Sequence, residues 1–557
     1  MATSLGPSRR RRVGSLVVAL LVALVLPSAA VGRLPETPPG PTIDLQILDI
    51  SDWHGQLDPT GGVGGAAVLS AYFAADRAQN PNTITLTGGD DFGASPPLAS
   101  FFDERPAVLA ERMMGIQVGT LGNHNFDRGV AHLQEMIDLA GSTDPDVPGQ
   151  PYRYVSANLA NRDENLSGVE DFAIFQFRGL RVAVIGITNE EAPTLVFPGS
   201  FGTIEVTDSV AAANRAREAA RKQGASVFIV IAHKGITHFD AAGQPQGPLI
   251  DFANAVSGFH AIIGDHTDVQ WQGEINGQLV FENRSKGVTY SRTTLTVHRG
   301  TGRLLGWNHE FVSPVAAAVT PDPAILAMLD PFRTALAAAF DRKIGVATDV
   351  FVRGGNIERR QEVAIGNLIA DGMRLRYGTQ LALMNGGGIR APLPSNYAPL
   401  DPSLDRSAPP PFDLVVGDVF AVLPFGNIIV TRTVTGAQLW AALENGVSRV
   451  AADGTAADGR FPQVSGFRFV YDSRDPVGSR VKSVTLADGT PIPPDGTTYT
   501  LALPNFLNAG GDSYTMFADG QGVTRDLDAQ VLLEYIESLG TITPTTEGRI
   551  VNLATAP

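Results

Sequence analysis

Residues 43–54 read Ile-Asp-Leu-Gln-Ile-Leu-Asp-Ile-Ser-Asp-Trp-His, an apolar β-type run that stops at Asp52, Trp53 and His54. The same order recurs four times downstream. A run at 83–87 leads to Gly89, Asp90 and Asp91, and one at 117–121 leads to Gly122-Asn123-His124-Asn125-Phe126-Asp127. A run at 227–232 leads to His233-Lys234-Gly235, and one at 261–264 to Asp265-His266-Thr267-Asp268. Helical patterns near 66–76, 106–114, 130–140 and 210–223 lie between runs. Apolar, β-branched runs alternating with helices predict an α/β layered domain. Ligands in such folds bind beyond the carboxyl ends of the strands. One His after one strand reads equally as a core or turn residue. Four of the nine histidines fall at these ends, which points to a shared site.

The residue types fit one chemistry. Asp, His and Asn donors suit divalent Zn, Mn, Fe or Co. An Asp-x-His pair can place oxygen and nitrogen on one ion as the chain leaves its strand, and one carboxylate, for which Asp90 is the natural candidate, can bridge two ions. Two cations held ~3.5–4 Å apart activate a water and clamp a phosphoryl oxygen. That chemistry needs no covalent nucleophile. The chain has no Cys, which excludes a disulfide framework, a thiolate nucleophile and sulfur-ligated metal.

Composition narrows the class further. The 557 residues are enough for two to four domains, and 43% apolar content supplies a core. The net charge of −15 includes the four arginines Arg9–Arg12, so the rest is more negative still. This argues against a nucleic-acid polymer or a polybasic membrane contact, but not against a small anion held through metal ions. Arg9–Arg12, an apolar run at 13–26 and small residues at 28–30 have the order of a secretory signal. The run is short for a membrane span. The expectation is a signal peptide at 1–30, a Pro- and Gly-rich tether at 31–41, and an exported protein, secreted or held in the cell envelope, with no stable membrane span.

After about residue 320 the pattern restarts. Residues 321–342 read as a connecting helix, 363–376 as a helix, 381–384 as a strand before Asn385-Gly-Gly-Gly388, 414–422 and 427–434 as strands, 436–447 as a helix and 499–503 as a strand. The proline-rich stretch 392–412 reads as a surface loop.

The ordered set Asp52-x-His54, Gly89-Asp90, Gly122-Asn123-His124, His233 and His266 resembles the calcineurin-like metallophosphoesterases. The segments Gly366-Asn367-Leu-Ile-Ala-Asp371, Asn385-Gly-Gly-Gly-Ile-Arg390, Phe425-Gly426-Asn427 and Asn505-Phe506-Leu-Asn-Ala-Gly-Gly-Asp512 resemble the C-terminal domain of the secreted bacterial 5′-nucleotidase / UDP-sugar hydrolase family. The resemblance spans about residues 43–550. It implies an α/β fold with a four-layered α/β/β/α metallophosphoesterase domain at 42–318, a linker helix at 319–342 and an α/β substrate-binding domain at 343–553. It implies two divalent metal ions, Zn or Mn, held by Asp52, His54, Asp90 and Asp268 on one side and by Asp90, Asn123, His233 and His266 on the other. His124 then contacts the phosphoryl group and Asp127 orients it, although Asp127 alone also reads as a helix-start residue. Asn385 and Arg390 belong to the phosphate-binding turn, Phe425 and Phe506 resemble an aromatic clamp for a nucleobase, Asp512 resembles the ribose contact, and Asn427 contacts the base edge.

The implied activity is release of phosphate from nucleotides by attack of metal-activated hydroxide. A 2′,3′-cyclic-nucleotide phosphodiesterase or a UDP-sugar diphosphatase is the alternative, and a non-catalytic nucleotide-binding surface protein is a third reading. Three positions depart from the family pattern. Position 268 is Asp where His or Gln is common, and position 125 is Asn where Glu is common. Arg359-Arg360-Gln361 precedes Glu362 where the family has an Arg in another register, so either Arg360 supplies the second phosphate contact from a shifted register or that arginine is missing. Asp91 and Asp265 read either as partners of ligating histidines or as turn residues, and the glycines at 61–65 either as a phosphate cradle or as relief of close packing at a helix start, the second being favoured.

Overall fold

The structure is a computed structural model that describes residues 41–555. The expected signal peptide at 1–30, and all of the expected tether except residue 41, lie outside the described residues.

Side-chain alternation in the strand Thr42–Ile50 builds the first half. Leu45 and Ile47 face one way and Leu48 and Ile50 the other, and all four are buried. This strand pairs in parallel with Thr83–Thr87, Ile47 opposite Ile84, and antiparallel with Tyr290–His298, Leu45 opposite Leu295. These belong to a seven-stranded sheet. A six-stranded sheet, centred on Ala261–Gly264, Val227–Ala232 and Leu180–Ile187, lies against it. Leu45, Ile47, Ile84 and Leu86 of the first sheet pack on Val182, Val184, Ile229 and Ile263 of the second. Helices Ala66–Gln79, Arg105–Met114 and Gly129–Gly141 cover the outer face of the first sheet through Phe73, Val108 and Met136. Helices Ser209–Lys222 and Pro248–Ala255 cover the second through Ala213, Ala216 and Phe252. The order is α/β/β/α.

The second half holds a five-stranded sheet, in the order Pro462–Ser465, Leu381–Asn385, Thr498–Pro504, Ile428–Thr435, Val523–Leu527. Ile369 and Met373 of the helix Ala364–Tyr377 and Leu532 and Ile536 of Asp528–Leu539 are buried together on one side of it. Helix Pro323–Phe340 joins the halves. Among the described residues it is the one helix long and apolar enough to cross a membrane by length and composition. Its Ile325, Leu329 and Phe340 instead share a buried apolar cluster with Phe73 of the first half and Ile369 of the second.

Two expected strands are different. The run at 117–121 forms only Val118–Gly119, because beyond it the Thr120 hydroxyl donates to Val155 O and the Gly122 amide to Asn125 Oδ1. The stretch 414–422 is a strand, Phe412–Val415, followed by a helix, Val416–Val422. The cause is Asp418. Its buried carboxylate accepts the Val415 amide at 2.9 Å and opens the helix there.

Candidate active site

Five polar side chains at the strand ends sit on backbone that most residues avoid. Asp52, His54, Asp90, His266 and Asp268 have φ of 41°, 50°, 47°, 89° and 62°. Left-handed backbone at a non-glycine residue costs ~1–3 kcal/mol and persists where the surroundings impose it. Here it turns each side chain back over the sheet edge. Glycines let the loops close on one another. A Cβ at Gly122 would lie 2.2 Å from Asp90 Oδ1, and one at Gly89 2.8 Å from His233 Nδ1.

The donor atoms converge. Ligand-type atoms of Asp52, His54 and Asp90 lie within 4.8 Å of one another, and so do those of Asp90, His233 and His266. Asp90 is common to both groups. His233 Nε2 is 3.1 Å from Asp90 Oδ2 and 3.2 Å from His266 Nδ1. His54 Nδ1 donates to Gly93 O at 2.8 Å, which leaves Nε2 facing inward, 3.7 Å from Asp52 Oδ1. His233 Nδ1 likewise faces Gly88 O at 3.2 Å. Carbonyl partners of this kind fix tautomer and ring orientation in metal sites. Asn123 Oδ1 is buried and has no hydrogen-bond partner. An unpaired buried acceptor is costly, and beside two carboxylate–imidazole groups it fits a cation.

The charges say the same. Burial, and then the neighbouring carboxylate of Asp265, push Asp52 well above the usual carboxylate range. Burial, then the cation of Arg390 and the ring of His124, hold His54 well below the usual imidazole range, and burial with His233 beside it brings His266 down to about 3. His233 is the exception: burial would lower it, but the carboxylates of Asp90 and Asp52 outweigh burial and raise it to about 9. A divalent ion would take the place of that proton among the same carboxylates and imidazoles.

Asp268 differs from the sequence expectation. It lines the same small cavity, yet it is in neither group of converging donors. It accepts a hydrogen bond from Asn356 at 3.3 Å. Burial would raise its carboxyl, but Ser285 and the cations of Arg353, Arg359 and Lys286 outweigh that and hold it low. Asp265 is the acid that joins the cluster. Its oxygens accept the amides of Asp52 at 3.2 Å and His266 at 2.9 Å. Asp91 faces away, binding Asn125 Nδ2 at 2.6 Å and the Tyr154 hydroxyl. Asn125 in turn accepts the amides of Asp90 and Gly122, so it splints two of the loops. The glycines at 61–65 lie outside the cleft, and the Gly64 amide bonds Pro314 O.

His124 stands beside the donors. Its ring is 5.2 Å from that of His54, and its Nδ1 is 3.0 Å from Asp127 Oδ1. Its other face meets the second half, stacking on Phe425 at 5.6 Å. Arg390 lies over the same Phe425 ring and brings Nη2 to 3.3 Å from His54 Nε2. Arg353, Arg359 and Lys286 line the cavity with it. Burial and then the nearby cations of Arg359 and Arg353 bring Arg390 down to about 9, as befits clustered cations facing an anion site.

Arg360, the expected second arginine, is displaced. Its Nη1 donates to Thr455 O at 3.3 Å, and Arg359 lines the cleft in its stead. Gly355 at φ 68° and Asn356 at φ 53° interrupt the short turn that leads to the two arginines. Arg353 and Lys286 are the members that sequence reasoning missed. An Arg beside a Gly pair and a Lys in a Gly-flanked turn were the only traces.

A cleft of 1010 Å³ opens from the donors into the second half, lined among others by Asn385, Phe425, Asn427, Phe506 and Asp512. This is at the top of the ~300–1,000 Å³ range of ligand pockets. Asn385 Nδ2 donates to Asp512 Oδ2 at 2.7 Å, and burial pushes Asp512 up to about 7.

Residues 343–519 match the family described as 5′-nucleotidase, C-terminal domain. The chain is 29% identical to Endonuclease YhcR of Bacillus subtilis (strain 168) over 92% of this chain, and it spans 41% of that relative's length. It is 26% identical to a snake venom 5′-nucleotidase of Naja atra, covering 92% of this chain and 99% of that one. The crystal structure of a 5′-nucleotidase precursor from Thermus thermophilus superposes with a TM-score of 0.79 at 28% identity, covering 92% of this chain and 100% of that one. Residues 343–519 thus carry a 5′-nucleotidase C-terminal domain, and the described chain, with two sheets layered between helices and converging metal-type donors in its first half, shares the two-domain fold of the Thermus thermophilus 5′-nucleotidase precursor.

Proposed function

We propose that this chain is a divalent-metal-dependent phosphohydrolase of the 5′-nucleotidase type, releasing phosphate from nucleotides. The observation that carries the reading is the sharing of Asp90 between two donor groups that face, across one cleft, a buried cluster of cations. Asp52, His54 and Asp90 would hold one ion, and Asp90, Asn123, His233 and His266 the other, with Asp268 joining the first group if it leaves Asn356. Two such ions acidify the attacking water and draw charge from the phosphoryl oxygens.

The chain's own groups supply the rest. Arg390 and Arg359 take the phosphate oxygens through charge-assisted hydrogen bonds. His124, held at Nδ1 by Asp127, offers Nε2 to the phosphoryl group and stabilises its charge or protonates the leaving oxygen. Phe425 and Phe506 hold the base, Asn427 reaches its edge, and Asp512 with Asn385 binds the ribose hydroxyls. The cleft has room for groups larger than a mononucleotide, so UDP-sugars belong in the substrate panel, and 2′,3′-cyclic nucleotides, no larger than AMP, join it because the same donors could serve them. The arginines at 9–12 and the apolar run at 13–26 support export.

The test is phosphate release from AMP and from the panel with Mn or Zn. Wild type should turn over, and His124→Ala should lose about 10²–10⁴-fold in kcat. No release from any nucleotide with any divalent ion would refute the reading.

A further inference from the structure

Behind the loops that carry the metal-type donors runs a chain of buried polar side chains that the phosphohydrolase chemistry does not use. It starts at Glu111 on the helix Arg105–Met114 and passes through Tyr152 and Tyr154 to Asp91 and Asn125, each of them 3% exposed or less. The Tyr152 hydroxyl donates to Glu111 Oε2 and stands 3.0 Å from the Tyr154 hydroxyl. Tyr154 donates to Asp91 Oδ2, and Asn125 Nδ2 donates to Asp91 Oδ1 at 2.6 Å. Asn125 Oδ1 accepts the Asp90 amide at 3.2 Å and the Gly122 amide at 2.8 Å.

The Asn125 side chain has one workable direction. Turned over, it would set its NH₂ against two backbone N–H groups and its oxygen against a carboxylate. Asp91 is thus the acceptor that the far side of Asn125 requires. What Asn125 joins is the frame of the donor set. On one side is the turn 89–91, where the carbonyls of Asp90 and Asp91 accept the amides of His54 and Gly55 at 2.9 and 2.7 Å. On the other is the turn 122–124, which carries Asn123 and His124. Asp90 is left-handed at φ 47°, so the first turn does not hold this shape by local preference.

We propose that Asp91, itself held by Tyr154, is a positioning residue: it locks the amide of Asn125 in the one direction that ties the Asp90 turn to the Asn123–His124 turn, and so sets the spacing of the donors around the shared carboxylate. The inference rests on the reading of Asp90 and Asn123 as metal ligands. Asn125→Asp is the informative substitution, because it keeps the shape and the acceptor of the two amides but turns an oxygen toward Asp91. Adding Asp91→Asn returns an N–H donor to that contact and leaves an oxygen for Tyr154. Tyr154→Phe removes one hydroxyl from a ring that lines neither the cleft nor the small cavity.

The experiment uses the full chain and measures Zn²⁺ affinity, by titration of the metal-free protein, together with kcat and KM on AMP. Losing a partner that orients a ligand typically costs about 10–100-fold in metal affinity or activity. Asn125→Asp should lose that much in Zn²⁺ affinity and in kcat, with KM within about twofold. The double variant Asp91→Asn/Asn125→Asp should recover most of the loss, since directly bonded groups are not additive. Tyr154→Phe should weaken Zn²⁺ binding by about threefold or more, as loss of a hydrogen bond to a charged group implies. Wild-type Zn²⁺ affinity and kcat in Asn125→Asp, or no recovery in the double variant, would overturn the proposal. Wild-type Zn²⁺ affinity in Tyr154→Phe would do the same, and that variant decides alone if Asn125→Asp does not fold. Should wild type lack nucleotide turnover while the substitutions still weaken Zn²⁺ binding, the proposed activity falls and the positioning role stands.

Discussion

At Asp90 two requirements meet in one side chain. Its carboxylate belongs to both donor groups, and it also accepts the His124 amide at 2.8 Å. Burial alone would raise it, but His233, His124 and His54 outweigh burial and keep it ionised. The arginines are a second matter at this scale. Arg359→Ala should lower kcat/KM on AMP by about tenfold or more, as loss of a charge-assisted hydrogen bond worth ~1.5–3 kcal/mol implies. Arg360→Ala should stay within about twofold. Equal losses at the two positions would contradict the placement of Arg359 in the cleft. The metal-type donors were legible in the sequence because each follows an apolar run whose end fixes its place. Arg359 was not, because Gly355 and Asn356 turn the chain between motif and contact, and residue spacing carries no sign of that turn.

Elements were legible where periodicity was long. The helix expected over 210–223 from its alternation of small and charged residues is Ser209–Lys222, capped by Asp208 and closed by Arg221 and Lys222. The helix Val416–Val422 was not legible because three of its seven residues are valines and most of the rest are apolar, and only Asp418, buried among Ser395, Arg406 and the Val415 amide, decides for helix. Helix Asp528–Leu539 carries a pH dependence of its own. Burial pushes the Asp528 carboxyl up to about 7, against the hydrogen bonds from the Ala529 amide and from Asn427. A carboxyl raised on folding binds its proton more tightly in the native state. Its contribution is therefore full below the unfolded pKa of ~3.9 and is lost as pH rises through about 7. Asp528→Asn should accordingly melt higher than wild type at pH 8 and close to it at pH 4. Melting curves with the same offset at both values would show that Asp528 is not protonated in the folded protein.

Across the whole molecule the site is complete only when the halves meet. His124 stacks on Phe425, Lys286 Nζ donates to Arg390 O at 3.1 Å, and Asn396 Nδ2 donates to Thr60 Oγ1 at 3.2 Å. Substrate must enter and product leave between them, and such opening often limits turnover. Because the chain has no Cys, a pair placed at Thr60 and Asn396 would be its only thiols. Bridging them should suppress turnover on AMP while leaving bound metal in place, with recovery on reduction. Full activity in the bridged form would mean that the halves need not separate.

The central claim is a pair of ions on a shared carboxylate, and elemental analysis of the full chain reconstituted with Mn or Zn tests it most directly. Two ions per chain are expected, with Asp90→Asn retaining at most one and losing phosphate release with it. A single ion in wild type, or two still bound in Asp90→Asn, would contradict the account.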